Sequence, residues 1–212
     1  EREETIKVMG GDDWQLWMNA LQEENCLAEG VKTLAYSYIG PVLTHAIYRE
    51  GTIGSAKKHL EQTAGAIDAQ LKALNGEAYI SVNKALVTQA AAAIPVVPLY
   101  SSILYKVMKE AGNHEGCVEQ MDRLFRDKLY GSDAVKTDLL GFVRMDDWEM
   151  GDDVQLAAQQ AWDAVDTDNL AQYADFAGYQ HEFLKLFGFG IDNVDYTADV
   201  NIDLKIPSIT EE

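Results

Sequence analysis

Residues 32–87 read KTLAYSYIGPVLTHAIYREGTIGSAKKHLEQTAGAIDAQLKALNGEAYISVNKALV, and this stretch contains the pattern that decides the fold. Residues 32–39 are rich in aromatic and β-branched side chains, which predicts a buried strand. Between residues 53 and 74 apolar side chains recur at steps of three and four, which predicts a long helix closed by Asn75 and the glycine after it. Residues 77–87 predict a second strand. A strand, a helix and a strand form a crossover unit, so the sequence predicts an α/β fold with a parallel sheet.

The rest of the chain is predicted to be rich in helices. Two strands make a poor sheet on their own, so the parallel sheet is expected to be incomplete. Because no repeat or clean linker is visible, we treat residues 1–212 as a single unit that packs against something outside it. The further predicted elements are a capped helix that Asp12 and Asp13 start, a turn-rich bridge over 44–54, mostly helical chain over 88–130, helical pieces starting at Asp147 and Asp153, a short helix over 179–187 and a terminal strand over 196–206.

Composition excludes several classes of protein. The 212 residues are 47% hydrophobic, which is enough for a sizeable core, and the formal net charge of -18 repels nucleic acid. The longest apolar stretch, residues 90–100, contains two prolines and is shorter than the ~20 residues a membrane span needs. The two cysteines, Cys26 and Cys117, lie far apart without framework spacing, which predicts free thiols in a reducing compartment.

Tyr48 and Lys57 form a candidate acid pair. A tyrosine can protonate an enolate if a nearby cation stabilises its phenolate and lowers its pKa from about 10. On one continuous helix the two side chains would lie on opposite sides, so Tyr48 must precede the helix, at a bend that Gly51 and Gly54 permit. Lys57 lies roughly 65° from the centre of the apolar stripe and Lys58 roughly 165°, so only Lys57 can reach back to Tyr48. From the residues alone, an ordinary core tyrosine and a snorkelling lysine remain the commoner interpretation.

A metal site is not predicted. His114, Glu115 and Cys117 lie close together in sequence, but three mixed residues without a second cluster fit zinc poorly.

Several phrases resemble the trans-2-enoyl-CoA reductase and V-type enoyl-ACP reductase family. They run in the family's order along nearly the whole chain, and the family's Tyr-x8-Lys signature falls on Tyr48 and Lys57. The phrases are VMGGDDWQLW (8–17), YSYIG (36–40), IYREGTIGSAKKHL (47–60), VTQAAAAIPVVPLY (87–100), HEGCVEQM (114–121), DDWEM (146–150) and FLKLFGFGIDNVDYTADVN (183–201).

The resemblance implies a fold and a reaction. The fold would be the C-terminal part of an enlarged short-chain-dehydrogenase Rossmann fold. The reaction, in fatty acid synthesis, would pass a hydride from NADH to the β-carbon of a trans-2-enoyl-CoA or enoyl-ACP. By resemblance, Tyr48 would stabilise and protonate the enolate, Lys57 would bind the cofactor ribose and support Tyr48, and Tyr38 would contact the substrate. The backbone segment that contacts the nicotinamide end would be Leu86, Val87 and Thr88.

The chain also departs from the family. Thr44-His45-Ala46 stands where the family often has Thr-Trp-Pro, and Ala91-Ala92 stands where it often has two serines. These changes bear on pocket shape and acyl-chain preference. The apolar run over residues 90–104 either lines an acyl channel, as the resemblance suggests, or is a buried helix.

Two hypotheses about function follow. The family's glycine-rich phosphate loop, and the acidic residue that selects NADH, belong to an upstream half that is not in this sequence, which has no G-x-G-x-x-G run. In the first hypothesis the chain is the catalytic and substrate-binding half of a reductase completed by that upstream half, in a bacterial cytoplasm or a mitochondrial matrix. In the second it is an accessory or structural subunit of a larger complex that reduces nothing.

Overall fold

The computed structural model describes residues 1–131 and 134–203. These residues form three strands, namely β1 (Lys32–Ser37), β2 (Glu77–Val82) and β3 (Phe142–Arg144). The α-helices are α1 (Arg2–Met9), α2 (Asp12–Glu23), α3 (Val42–Tyr48), α4 (Thr52–Leu71), α5 (Gln89–Ala92), α6 (Val97–Ala111), α7 (Cys117–Arg123), α8 (Asp152–Ala164), α9 (Leu170–Tyr173) and α10 (Phe176–Lys185). A 3₁₀ turn, Lys72–Leu74, extends α4, and a π-helical segment, Leu124–Leu129, extends α7.

The three strands form one parallel sheet in the order β1-β2-β3. Lys32 pairs with Glu77 at the start of β1 and β2, and Val82 pairs with Arg144 at the end of β2 and β3. The predicted strand–helix–strand crossover is therefore confirmed, with α4 as the long connecting helix. The sequence prediction missed β3, because its three residues are too short for an alternating pattern.

Helix α4 packs its predicted apolar stripe against the sheet. Ile67 and Leu71 are completely buried, and they lie with Met18 of α2 and Ala78 of β2 in one cluster. Burying each of these two large side chains contributes about 1.5–3 kcal/mol. Asn75 ends the helix in the left-handed conformation, at φ 49°, as the predicted closing signal requires.

Helix α6 is the centre of the second half of the core. Tyr100, Ile103, Leu104 and Met108 are buried on it, and α8 and α10 pack against it. None of the described helices is long and apolar enough to cross a membrane.

Several predicted boundaries were wrong near the N-terminus and the first strand. Gly11 caps α2 without a side-chain hydrogen bond, so Asp12 and Asp13 act in its first turn, where they favour the positive end of the helix dipole. Residues 32–39 do not form a fully buried strand, because β1 is an edge strand and Tyr36 is 53% exposed. The bridge over 44–54 is not mainly turns, since α3 occupies its first part.

From β2 onward, several helices and strands also begin or end at other residues than predicted. β2 ends at Val82 rather than at residue 87, and residues 147–150 form a turn before α8 begins at Asp152. The predicted helix over 179–187 is observed as α10, which begins three residues earlier and ends two residues earlier. The predicted terminal strand is wrong for residues 196–203, which contain no strand, and residues 204–206 lie outside the described residues.

Candidate active site

The structure brings Tyr48 and Lys57 together across a tight bend. Tyr48 is the last residue of α3, and α4 begins four residues later at Thr52. The Lys57 ammonium lies 5.7 Å from the centroid of the Tyr48 ring and donates a 3.1 Å hydrogen bond to the Ser37 hydroxyl at the end of β1. Lys58 is exposed, as the position of the apolar stripe predicted.

The electrostatics of the pair differ from the sequence prediction. Burial raises the pKa of Tyr48, and the nearby Tyr179 adds to that rise, so the expected lowering of this pKa was wrong. Burial also lowers the pKa of Lys57 to about 8, with Glu61 opposing the change and Arg49 reinforcing it. The ammonium donates to Ser37 rather than to the phenol, and the raised pKa keeps Tyr48 neutral beside this cation. Such an arrangement stabilises a phenolate when one forms during a reaction.

Tyr38 lies against the catalytic candidate. Its ring meets the Tyr48 ring edge to face, with centroids 4.8 Å apart and an interplanar angle of 89°. The Tyr38 hydroxyl donates a 2.9 Å hydrogen bond to a carboxylate oxygen of Glu149. Burial and the charge of Glu149 raise the pKa of Tyr38 well above its ordinary value.

The segment after β2 is divided between two cavities. Leu86 and Thr88 line the same cavity as Tyr48, and the Thr88 hydroxyl accepts a hydrogen bond from the Ala91 amide at the start of α5. Val87 instead lines a neighbouring cavity, and its amide donates to the Tyr105 hydroxyl at 3.2 Å. Of the four residues predicted to bind the cofactor, Lys57, Leu86 and Thr88 therefore line the cavity beside Tyr48, and Val87 does not.

A cavity of 340 Å³ lies at the carboxyl ends of β1 and β2. Ligands bind at this edge of parallel sheets, and the volume lies within the usual range for small-molecule sites. Its walls include Tyr38, Tyr48 and Lys57, together with Ala91, Ile94 and Val97 of the apolar run. The later residues Ile103 and Leu104 of that run are buried in the core, as the buried-helix interpretation predicted, and the acyl channel stays a prediction.

Sequence reasoning missed four residues of this site. Glu149 is fully buried and reaches Tyr38 from a turn 111 residues away in sequence. Lys84 is buried beside it, and burial lowers the pKa of Lys84 to about 8, opposed mainly by Glu149. Ser37 holds Lys57, and Tyr179 has a buried hydroxyl without a hydrogen-bond partner among the described residues. Glu149 falls within the quoted DDWEM phrase, but no spacing marked it as functional.

The three residues considered for a metal make other contacts or are exposed. Glu115 forms a 2.6 Å ion pair with Arg123, the His114 ring meets the Tyr105 ring with centroids 4.4 Å apart, and Cys117 is exposed. Within residues 1–131 and 134–203, no group of three or more His, Cys, Asp or Glu side chains is arranged to hold a metal ion.

The parallel sheet and the tyrosine–lysine pair at its carboxyl edge define an α/β protein with a cavity at the sheet edge, where ligands bind in proteins of this class. Residues 1–130 match the family model described as the trans-2-enoyl-CoA reductase catalytic region, and residues 137–200 match one described as the enoyl reductase FAD binding domain. The chain belongs to the trans-2-enoyl-CoA reductase family.

Individual relatives agree with this assignment. The chain is 60% identical over 211 residues to an enoyl-[acyl-carrier-protein] reductase [NADH] of Coxiella burnetii, covering 99% of the chain and 52% of the relative. It is 57% identical over 202 residues to a trans-2-enoyl-CoA reductase [NADH] of Clostridium perfringens, covering 95% of the chain and 51% of the relative. The crystal structure of Treponema denticola trans-2-enoyl-CoA reductase in complex with NAD superposes with a TM-score of 0.89 at 49% identity, covering 94% of this chain and 50% of that one. The chain thus spans about half the length of these relatives.

The second matched region does not fit a flavin dinucleotide. Residues 137–200 contain 14 Asp and Glu residues but only two basic ones, Arg144 and Lys185. Arg144 is paired with Asp138 and Asp146, and Lys185 with Glu182. A diphosphate requires backbone or cationic donors, whereas this region offers an excess of negative charge.

Proposed function

We propose that the chain is the proton-donating and substrate-binding part of an NADH-dependent enoyl reductase of fatty acid synthesis, acting on trans-2-enoyl-CoA or enoyl-ACP. The observation that carries the proposal is the Lys57 ammonium 5.7 Å from the Tyr48 ring, in a cavity at the carboxyl edge of a parallel sheet. The relatives named as NADH-dependent enoyl reductases support the same reaction.

The residues of the cavity match what the reduction needs. NADH, when bound, supplies the hydride for the β-carbon, which leaves negative charge on the thioester oxygen and a proton to be added at the α-carbon. The Tyr48 hydroxyl makes no hydrogen bond within the described part of the chain, so its proton is available to the enolate. Lys57, with a pKa of about 8, is mostly charged at neutral pH and stabilises the phenolate that remains.

In this proposal the cavity holds one end of the cofactor. Lys57, Leu86 and Thr88 would hold the ribose and nicotinamide, since all three line the 340 Å³ cavity beside Tyr48. The space is small for a whole dinucleotide, and the net charge of -18 is unfavourable for its phosphates. We therefore assign the phosphate-binding loop, and the extension of the sheet to a short-chain-dehydrogenase Rossmann fold, to the upstream half of a protein of the relatives' length. The exposed free thiols of Cys26 and Cys117 fit a reducing compartment, such as a bacterial cytoplasm or a mitochondrial matrix.

The alternative is an accessory subunit that has kept this half of the reductase without its chemistry. The sequence feature in its favour is that no glycine-rich phosphate loop occurs in these 212 residues.

NADH oxidation with crotonyl-CoA separates the two hypotheses. It is measured for this chain alone and for this chain joined to the remaining half of the Coxiella burnetii reductase. Absence of turnover in the joined protein would favour the accessory subunit.

Replacement of the proton donor tests the mechanism. In whichever of these two forms oxidises NADH, Tyr48→Phe is expected to lower kcat by about 10²–10⁴-fold, because general acid catalysis contributes that much. The KM for NADH should change little. Tyr130→Phe is the matched control, since Tyr130 is 64% exposed and does not line the cavity. A wild-type rate in Tyr48→Phe would mean that another group delivers the proton.

A further inference from the structure

One buried carboxylate joins three walls of the candidate site. Glu149 is completely buried in the turn between β3 and α8. One of its oxygens accepts hydrogen bonds from the hydroxyls of Tyr38 at 2.9 Å and Tyr100 at 2.8 Å. The other accepts the backbone N–H of Ala85 at 2.7 Å. Tyr38 follows β1, Ala85 precedes the cavity-lining residue Leu86, and Tyr100 belongs to α6, so the carboxylate connects three separate parts of the chain.

The directions of these hydrogen bonds are determined by the donors available. A backbone N–H can only donate, and so can the side-chain NH₂ of Gln155, which lies 3.3 Å from the Tyr100 hydroxyl. The Tyr100 oxygen accepts from Gln155, so its own proton points to Glu149. Burial raises the pKa of Glu149, and the Ala85 N–H, the two tyrosine hydroxyls and the buried Lys84 oppose that rise.

The hydrogen bond from Tyr38 to Glu149 has a consequence for the two adjacent tyrosines. The single hydroxyl proton of Tyr38 is donated to the buried Glu149 and is therefore not free for another acceptor. The Tyr48 hydroxyl has no such acceptor among residues 1–131 and 134–203. Although their rings are in edge-to-face contact, only one of the two phenols therefore has a free proton.

We propose that Glu149 is a positioning residue that selects Tyr48 rather than Tyr38 as the proton donor, by holding the Tyr38 proton in the protein interior. The inference rests on the proposed reductase function. Tyr38 and Tyr48 lie in the matched catalytic region, residues 1–130, whereas Glu149 lies in the second matched region, residues 137–200. The inference therefore gives the second region a part in the candidate active site.

Two variants test the selection. Glu149→Gln keeps the size of the side chain but replaces one acceptor oxygen by an NH₂ group, so the side chain can no longer accept from both the tyrosine hydroxyls and the Ala85 N–H, and the position of Tyr38 is disturbed. We expect kcat to fall by about 10–100-fold, as for a displaced catalytic group, while the KM for NADH stays within about twofold. Tyr38→Phe is expected to cost less than about tenfold in kcat, far less than Tyr48→Phe, because the Tyr38 proton is not the one transferred.

The double variant separates positioning from a general structural effect. If Glu149 acts through the Tyr38 hydroxyl, adding Glu149→Gln to Tyr38→Phe should lower kcat by less than about threefold. Glu115→Gln is the matched control, because Glu115 is another buried glutamate, paired with Arg123 and outside the Tyr48 cavity. It should lower the melting temperature and leave kcat unchanged. Near-ultraviolet circular dichroism shows whether each variant is folded.

The outcomes distinguish this inference from the proposed function. No activity in any wild-type form would remove the proposed function and the inference together. With an active wild type, an unchanged kcat in Glu149→Gln, or an equal loss with and without the Tyr38 hydroxyl, would overturn the inference alone. If Glu149→Gln does not fold, Tyr38→Phe still decides, since a loss as large as that of Tyr48→Phe would make Tyr38 a donor and contradict the selection.

Discussion

Lys57 combines two properties that normally oppose each other. Its place at the edge of the buried face of α4 brings its ammonium near Tyr48. The same burial lowers the pKa of Lys57 to about 8, so a smaller fraction of the side chain is protonated near neutral pH. The hydrogen bond to Ser37 fixes the ammonium without neutralising it, because a hydroxyl accepts the bond but carries no charge. The cation therefore remains available to a phenolate at Tyr48 near neutral pH.

This pKa predicts an alkaline limit to activity. The ammonium is charged below pH 8 and neutral above it, so kcat/KM should fall as the pH rises through about 8. In Lys57→Arg the cation persists, since an arginine pKa exceeds 12, and the fall should move up by more than about 2 pH units. Profiles of rate against pH for both proteins provide the measurement.

Lys84 is a second group that would cause a fall in activity at alkaline pH, because burial lowers the pKa of Lys84 to about 8 as well. It lies under the cavity, where its ammonium donates to the Ala85 carbonyl at 3.0 Å. An unchanged midpoint in Lys57→Arg would assign the titration to Lys84 and not to the Tyr48 partner.

At the residue scale, sequence reasoning found the groups whose relation is local. Tyr48 and Lys57 are nine positions apart, and the helical period placed Lys57 correctly. The contact between Tyr38 and Glu149 joins residues 111 positions apart, so no periodicity expresses it. The pKa of Tyr48 was predicted in the wrong direction, because its burial depends on how α3 packs in the fold.

Among the elements, the junction of α3 and α4 sets the geometry of the site. A Cβ atom on Gly54 would lie 2.3 Å from the backbone oxygen of Arg49, a separation that real Cβ atoms do not reach. Only glycine therefore allows the first turn of α4 to lie this close to the end of α3. The close approach is what brings Lys57 to Tyr48.

Two glycines of α4 should respond oppositely to the same substitution. Gly54→Ala is expected to destabilise the protein by about 2 kcal/mol and to lower kcat, because the backbone must move apart and carry Lys57 with it. Gly65→Ala is the matched control. Gly65 is exposed and its added Cβ would meet nothing within 4 Å, so we expect stabilisation by about 0.5–1 kcal/mol. Urea denaturation measures both, and a neutral Gly54→Ala would show that the junction is not tight.

Element prediction succeeded where a pattern was long and failed where it was short. The 20 residues of α4 carry several repeats of their apolar period, so this helix and its crossover were predicted. The three residues of β3 carry no repeat, and α3 lies in a segment whose glycines suggested turns. Burial of β1 was overestimated because composition does not tell an edge strand from a central one.

For the whole molecule, charge and cavity size act together on cofactor binding. The net charge of -18 repels a dinucleotide diphosphate, and the basic residues that line the 340 Å³ cavity are Lys57 and Lys84, of which Lys84 is buried. We therefore expect these 212 residues alone to bind NADH no more tightly than about 1 mM by calorimetry. The same residues joined to the remaining half of the Coxiella burnetii reductase should bind at least about tenfold more tightly, since a phosphate loop contributes contacts of its own. Raising the ionic strength should not weaken binding to the chain alone, because salt screens the repulsion. Micromolar binding by the chain alone would place the phosphate site within it and remove the reason for assigning that site to another segment.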